Sequence, residues 1–353
     1  MVKRNLTGNE RQVLYGLVHH PTLNDRELSE TLDIKVSTVT AIRRRLRRAD
    51  YFLTRRLPMM HRLGWEILAA GHGRLSPARG GATAGRLREI LGDRFPTIFY
   101  LSASPDHFLF LASAPDYTTY KRDLEELRFS LYRADLLTDG DVQTNVLPVG
   151  LSVLPNFFDF SHVLALAFGY EDRPVFRLEP TKVGDVALTR KETEVLKGLV
   201  RYPEMSDKAV AQRIKASRQA VSKMRREFEE SGLLRTVRLP NVRALGFELL
   251  GAAFTRFAPF ATIKARADLI EKVLRMTPQY FFAACASDSI LLGALKSYEH
   301  FSSLRASLEK AYGDKGFLSG EPTMHLGVVS MTDIARNCDF GPLVQGLKGP
   351  GPR

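Results

Sequence analysis

Two short stretches of this chain set small, polar and basic side chains at helical spacing. Ser37, Thr40, Ala41 and Arg44 form one set, and Gln219, Ser222, Lys223 and Arg226 form the other. At roughly 100° per residue each set occupies one side of a helix, opposite Val39, Ile42 and Leu46 in the first stretch and Val221, Met224 and Phe228 in the second. Short side chains permit close approach to a groove, and the longer amide, ammonium and guanidinium groups match the donors and acceptors on base edges there. Arg45 and Arg48, farther along the first helix, and Arg55, Arg56, Arg235 and Arg238 in the runs that follow are candidates for phosphate contacts. Such contacts position a protein without specifying a sequence.

A run such as Arg43-Arg44-Arg45-x-Arg47-Arg48 is usually a solvated helix face. Its location argues for more. Residues 1–62 hold 13 Lys/Arg against 6 Asp/Glu, and residues 188–245 hold 14 against 7, while the whole chain carries a formal +12. The two basic stretches therefore account for all of the excess, and the remainder is slightly acidic. A field concentrated in this way draws polyanions to those two places.

The elements that must position these side chains recur along the chain. The segment from Leu6 lies over the segment from Leu188 without a gap, 182 residues on. Along that offset Thr7 meets Thr189, Glu10 meets Glu192, Asp25 meets Asp207, and Arg43-Arg44 meets Arg225-Arg226. Thr54-x-Arg56-Leu57-Pro58 falls on Thr236-x-Arg238-Leu239-Pro240. In the first copy Val13, Leu14, Leu17 and Val18 predict a helix ending before Pro21. A second helix opens near Asn24 or Asp25, and a third with Ser37 as its cap. Three helices with a short turn before the last, followed by basic strands, read as a winged helix-turn-helix.

From Leu63 the pattern becomes strand (65–75), helix (84–91), strand (97–102), strand (108–112), helix (117–131) and strand (142–149), and it returns after Leu245. That βαββαβ order predicts a ferredoxin-like sandwich. The expected class is thus α+β, a tandem of winged helix-turn-helix plus ferredoxin-like domain. The expected boundaries are 1–62 and 188–245 for the heads, 63–160 and 246–340 for the α/β domains, 161–187 for a linker and 341–353 for a flexible tail.

Other chemistry is poorly supported. Cys285 and Cys338 are too few for a disulfide framework, and the eight histidines are scattered, without metal-ligand spacing. Gly71-His72-Gly73 and Gly80-Gly81 lack the strand-to-helix setting of a phosphate loop. Neither a signal core nor an uncharged apolar run of about 18 residues is present, so a cytoplasmic protein with no membrane partner is expected.

The unit resembles the feast/famine, or Lrp/AsnC, family of transcription regulators over nearly its full length. The resemblance is carried by Leu14…Asp25-x-x-Leu28, Ser37-Thr38-Val39-x-x-Arg43-Arg44-x-Leu46, Leu57-Pro58 and Leu63-Gly64 before βαββαβ. It implies a sequence-selective regulator of double-stranded DNA that pairs through its α/β domains, as a homodimer or as a pseudo-dimer within one chain. It also implies a place for a small effector at those domains. No cofactor, no metal and no enzymatic activity are expected on this reading. Two alternatives stand beside it: a siroheme-decarboxylase-like tetrapyrrole enzyme on the same fold, and a non-specific chromatin protein. Arg74 and Arg256, repeated on the first strands of the sandwiches, are the hint of an anion site there.

Overall fold

The computed structural model describes residues 6–76, 83–91, 94–138, 142–172, 174–184 and 186–347. Gly80-Gly81 and the tail beyond Leu347 lie outside them. The chain opens with α1 (Gly8–His19), α2 (Asp25–Leu32), α3 (Val36–Arg48) and β1 (Phe52–Pro58). There follow β2 (Ile67–Arg74), α4 (Thr83–Leu91), β3 (Ile98–Ala103), β4 (His107–Ala114), α5 (Tyr117–Arg133) and β5 (Gln143–Pro148), then β6 (Val153–Phe157) and α6 (Ser161–Phe168). The same order returns as α7 (Arg190–Arg201), α8 (Asp207–Arg213), α9 (Arg218–Glu230) and β7 (Leu234–Pro240). It continues with β8 (Leu249–Arg256), α10 (Ala267–Met276), β9 (Gln279–Ala284), β10 (Asp288–Leu295), α11 (Tyr298–Gly313), β11 (Thr323–Val328), β12 (Asp333–Arg336) and α12 (Gly341–Gln345). The α+β class and the βαββαβ order are those expected.

Local chemistry fixes the helix starts. Thr7 and Glu10 close a capping box on α1, and Thr189 and Glu192 close the matching one on α7, so each satisfies orphan amides at the first turn. Asn24 caps α2 and Ser206 caps α8. The third helix begins two residues earlier than expected. Lys35 stands at its cap position without a side-chain bond, and Ser37 lies in the first turn, whereas Ser217 does cap α9.

Two compact units divide the chain, and neither is a contiguous half. Unit 1 comprises residues 1–54, 153–179 and 236–330, and unit 2 comprises residues 55–152, 180–235 and 331–353. The first head therefore belongs with the second α/β domain, and the second head with the first. Unit 1 holds an antiparallel sheet ordered β11-β8-β10-β9-β6, and unit 2 one ordered β12-β3-β4-β2-β5. In each sheet four adjacent strands follow the ferredoxin-like order, and the fifth, at one edge, comes from the other half of the sequence. The linear boundaries expected above follow element order, whereas compactness follows this exchange.

Two segments expected to be structureless are ordered here. Residues 161–168 of the expected linker form α6, which buries Val163 and Leu164, and residues 341–345 of the expected tail form α12, which buries Leu343 and Val344. Their adjacent apolar residues gain enough from burial to offset ordering a short helix. Each fifth strand is pinned by side chains. Asn156 on β6 donates to Gln279 Oε1 at 2.6 Å, and Arg336 on β12 donates to the carbonyls of Phe95 and Ile98, both at 2.7 Å. Aromatic stacking repeats just after, with Phe160 on Tyr280 at 4.5 Å and Phe340 on Phe99 at 4.4 Å. Among the described residues, no helix is long and apolar enough to cross a membrane.

Candidate nucleic-acid interface

Each head is assembled around a glycine and an aspartate. A Cβ on Gly16 would stand 3.0 Å from Leu28 and Leu32, and one on Gly198 would stand 2.9 Å from Ile214, so glycine lets the first two helices approach. Val13, Leu14, Leu17, Leu28, Val39 and Leu46 fill the core of the first head, and Val195, Leu196, Leu199, Val210, Val221 and Phe228 that of the second.

The aspartate at the start of the second helix then fixes the rotation of the third. Asp25 accepts from Thr40 Oγ1 at 2.7 Å and from Arg43 Nη1 at 2.6 Å. Asp207 accepts from Ser222 Oγ at 2.6 Å and from Arg225 Nε at 3.0 Å, and Glu229 takes Arg225 Nη1 at 2.9 Å. Partial burial raises both aspartyl carboxyls, but the hydrogen bonds and the arginine charge outweigh it, and both lie below the usual carboxylate range. Around Arg225 the two carboxylates likewise outweigh burial and raise the guanidinium.

This clamp sorts the candidate base-reading residues. Thr40 and Ser222 turn their hydroxyls inward to the aspartates, so they hold the helix rather than face a groove. Ser37, Ala41 and Arg44 on α3 are exposed, as are Gln219, Lys223 and Arg226 on α9. Val36, 44% exposed, begins the same face of α3, and Arg218 begins that of α9. Sequence reasoning passed over Asp25 and Asp207 as site residues. Their spacing to Thr40 and Ser222, fifteen residues in both copies, was the available signal.

The phosphate candidates divide as well. Arg48 is exposed. Arg45 is held at 2.6 Å by Glu10, a carboxylate with a side chain only 3% exposed that also closes the α1 capping box. Arg55 Nε donates to the Asn337 carbonyl at 2.8 Å, and Arg235 is half-buried. Arg56 and Arg238, the pair repeated in Thr-x-Arg-Leu-Pro, go inside. Arg238 is 4% exposed and donates to the Leu17 carbonyl at 2.8 Å within unit 1. In unit 2, Arg56 is half-buried against the second head, near enough to Asp207 and Glu229 to feel their charge, and desolvation lowers its pKa. Its Nε and Nη1 have no hydrogen-bond partner. Both arginines therefore leave the phosphate-holding set, because Arg238 is held by a backbone carbonyl in the core and Arg56 has two of its guanidinium nitrogens shut from solvent.

On the α/β domains, Arg74 and Arg256 are exposed at strand ends, and Arg256 stands 3.8 Å from Asp288. Among the described residues, no group of three His, Cys, Asp or Glu could hold a metal ion.

Helix-turn-helix heads with exposed polar third helices, joined to ferredoxin-like sheets, define the class of architecture. No family model matches the chain, and no curated protein does. Among solved structures, the siroheme decarboxylase NirDL is similar over 96% of this chain and 97% of its own, with TM-score 0.51 and 12% identity. NirDL in co-complex with an iron-uroporphyrin III analogue is similar over 85% and 83%, with TM-score 0.48 and 11% identity. Transcriptional regulatory protein PF0864 from Pyrococcus furiosus, a member of the AsnC family, is similar over 40% of this chain and 89% of its own, with TM-score 0.31 and 18% identity. At these identities the likeness is one of fold. It corrects one expectation: the architecture that spans almost the whole chain belongs to an enzyme, so a non-enzymatic chain no longer follows from the fold.

Proposed function

We propose that this chain binds double-stranded DNA and reads it with two unlike recognition helices, α3 and α9. The observation that carries this reading is the pair of aspartate clamps. They fix the roll of each third helix so that Ser37, Ala41, Arg44 and Arg48, and Gln219, Lys223 and Arg226, stay on the open side. Small residues near the start with longer donors behind them suit a helix whose N-terminal half enters a major groove. The two faces differ in every base-reading side chain except the arginine, so the preferred site is an imperfect palindrome. Regulation of transcription is the role such binding serves.

The test is selection from random duplexes by the full chain, followed by titrations at several salt concentrations. An enriched two-part asymmetric site supports the reading. Tight binding with no enriched sequence, or no binding at moderate salt, refutes it.

The full-length fold likeness favours a second reading, tetrapyrrole chemistry on the α/β domains. It is tested by adding an iron-uroporphyrin to the purified chain and following its absorption band. A saturable shift supports that reading, and an unchanged spectrum refutes it.

A further inference from the structure

The helix-covered faces of the two sheets differ at a cross-strand pair near their middle. In unit 2, Gly71 on β2 faces Phe110 on β4, and the ring lies so close over the glycine that a Cβ there would stand 2.1 Å from its Cζ. In unit 1 the same place in the strands holds Ala253 opposite Leu291. Two positions along β10 stands Gly293, where β4 has Ala112. The covering helices differ too. Tyr120, Leu124, Leu127 and Leu131 of α5 are all buried, whereas Phe301, Leu304 and Leu308 of α11 are only half-buried.

The result is a pocket between α11 and its sheet, half open to solvent and with about 60 Å³ accessible inside it, against about 10 Å³ at the matching place in unit 2. A single water needs roughly 10–15 Å³ and two to four polar partners. Polar partners are missing here. The lining residues are apolar except Thr277 and Arg305. Thr277 already donates to the Val273 carbonyl at 2.8 Å, and Arg305 is paired with Glu309 at 2.6 Å. Water gains little in such a space, and a charged ligand would meet an arginine already neutralised.

We infer that this cavity is a binding site for a small neutral apolar molecule of single-ring size, present in one copy of the α/β domain and filled by Phe110 in the other. Its occupant would press on Thr277 and Pro278. These residues adjoin Arg275 and Gln279, whose carbonyl and side chain hold His162 of α6 at 3.0 Å and Asn156 of β6 at 2.6 Å. Because α6 packs on α1, occupancy reaches the first head through these bonds. Binding itself is independent of the DNA-reading proposal, and only its regulatory meaning rests on it.

The experiment is a methyl and histidine-ring NMR titration of the full chain with toluene. Saturable shifts at Leu291, Leu304, Leu308 and Leu326, with the His162 ring moving at the same midpoint, are expected. The double variant A253G/L291F, which copies the Gly71–Phe110 pair, is expected to weaken binding at least tenfold with an unchanged melting temperature. Absence of saturable shifts, or shifts elsewhere that the variant leaves intact, overturns the site. A fixed His162 overturns the coupling. Should the variant not fold, benzoate decides with the natural chain, since binding as tight as toluene's contradicts a neutral, apolar site.

Discussion

Replacing Asp207 by alanine removes the group that orients α9. The carboxylate accepts from Ser222 at 2.6 Å and Arg225 at 3.0 Å, and its side chain is 14% exposed. A hydrogen bond to a charged group contributes about 1.5–3 kcal/mol, and a half-buried arginine that keeps one partner loses less than an orphaned one. Glu229 still holds Arg225 at 2.9 Å. The loss should therefore fall near the lower end, about 2 kcal/mol, which lowers the melting temperature by about 4–8 °C for a unit of this size. Calorimetric melts of the natural chain, D207A, S222A and the double variant give the coupling directly. D207A should also weaken binding to the preferred DNA site, because Lys223 and Arg226 lose their fixed direction. A melt within about 1 °C of the natural chain, or strictly additive effects of the two substitutions, refutes the clamp.

Arg44→Ala and Arg226→Ala should each cost about 1–3 kcal/mol at one half of the preferred site and leave the other half unchanged, as measured by titration with half-site mutants. By contrast, Arg56→Met and Arg238→Met should leave the salt slope of DNA binding unchanged, since Arg238 is buried and Arg56 has Nε and Nη1 shut from solvent and Nη2 on the Met205 carbonyl, whereas Arg48→Ala should reduce it by about one. Burial, helped by the Arg62 charge, lowers His61 from 6.5 to about 4, so the folded state resists protonation that the unfolded chain accepts. Stability is then full above pH 6.5 and declines as the pH falls toward 4, and His61→Phe should flatten that part of a melting-temperature profile. The lowered Asp25 and Asp207 carboxyls act in the same direction at more acid pH. Their contribution is present above the unfolded carboxylate value and disappears as the pH falls through the folded one.

Periodicity made much of this fold legible. Val13 to Val18, Val39 to Leu46 and the matching residues 182 positions on mark helices because burial on one face repeats every 3.6 residues, and the alternating strands of the sandwich follow equally simple geometry. The polar face of the third helix was readable for the same reason. The direction of single polar side chains was not. Thr40 lies among the outward residues on a helical wheel yet points at Asp25, since its position near the edge lets either neighbour claim it. Arg55 and Arg56 look alike in a basic run. Strand alternation sends one of them inside, but which one depends on a register that the run itself does not state. The destinations of β6 and β12 were illegible on stronger grounds, because backbone hydrogen bonds at a sheet edge are blind to sequence and Val153–Phe157 could pair with either sheet.

The exchange of edge strands separates the unit of sequence from the unit of folding. Each of the two bodies needs three stretches of chain, drawn from both halves, before its sheet has five strands and its head has a short helix to lean on. Contacts of this kind join residues far apart in sequence, so closure of β6 and β12 belongs to the slow end of folding. A protease cut between Tyr170 and Val186 would then leave two polypeptides that remain associated, since each completes the other's sheet. Either half made alone would expose a bare edge to its neighbours. The order of its elements repeats, but its stability is held in common.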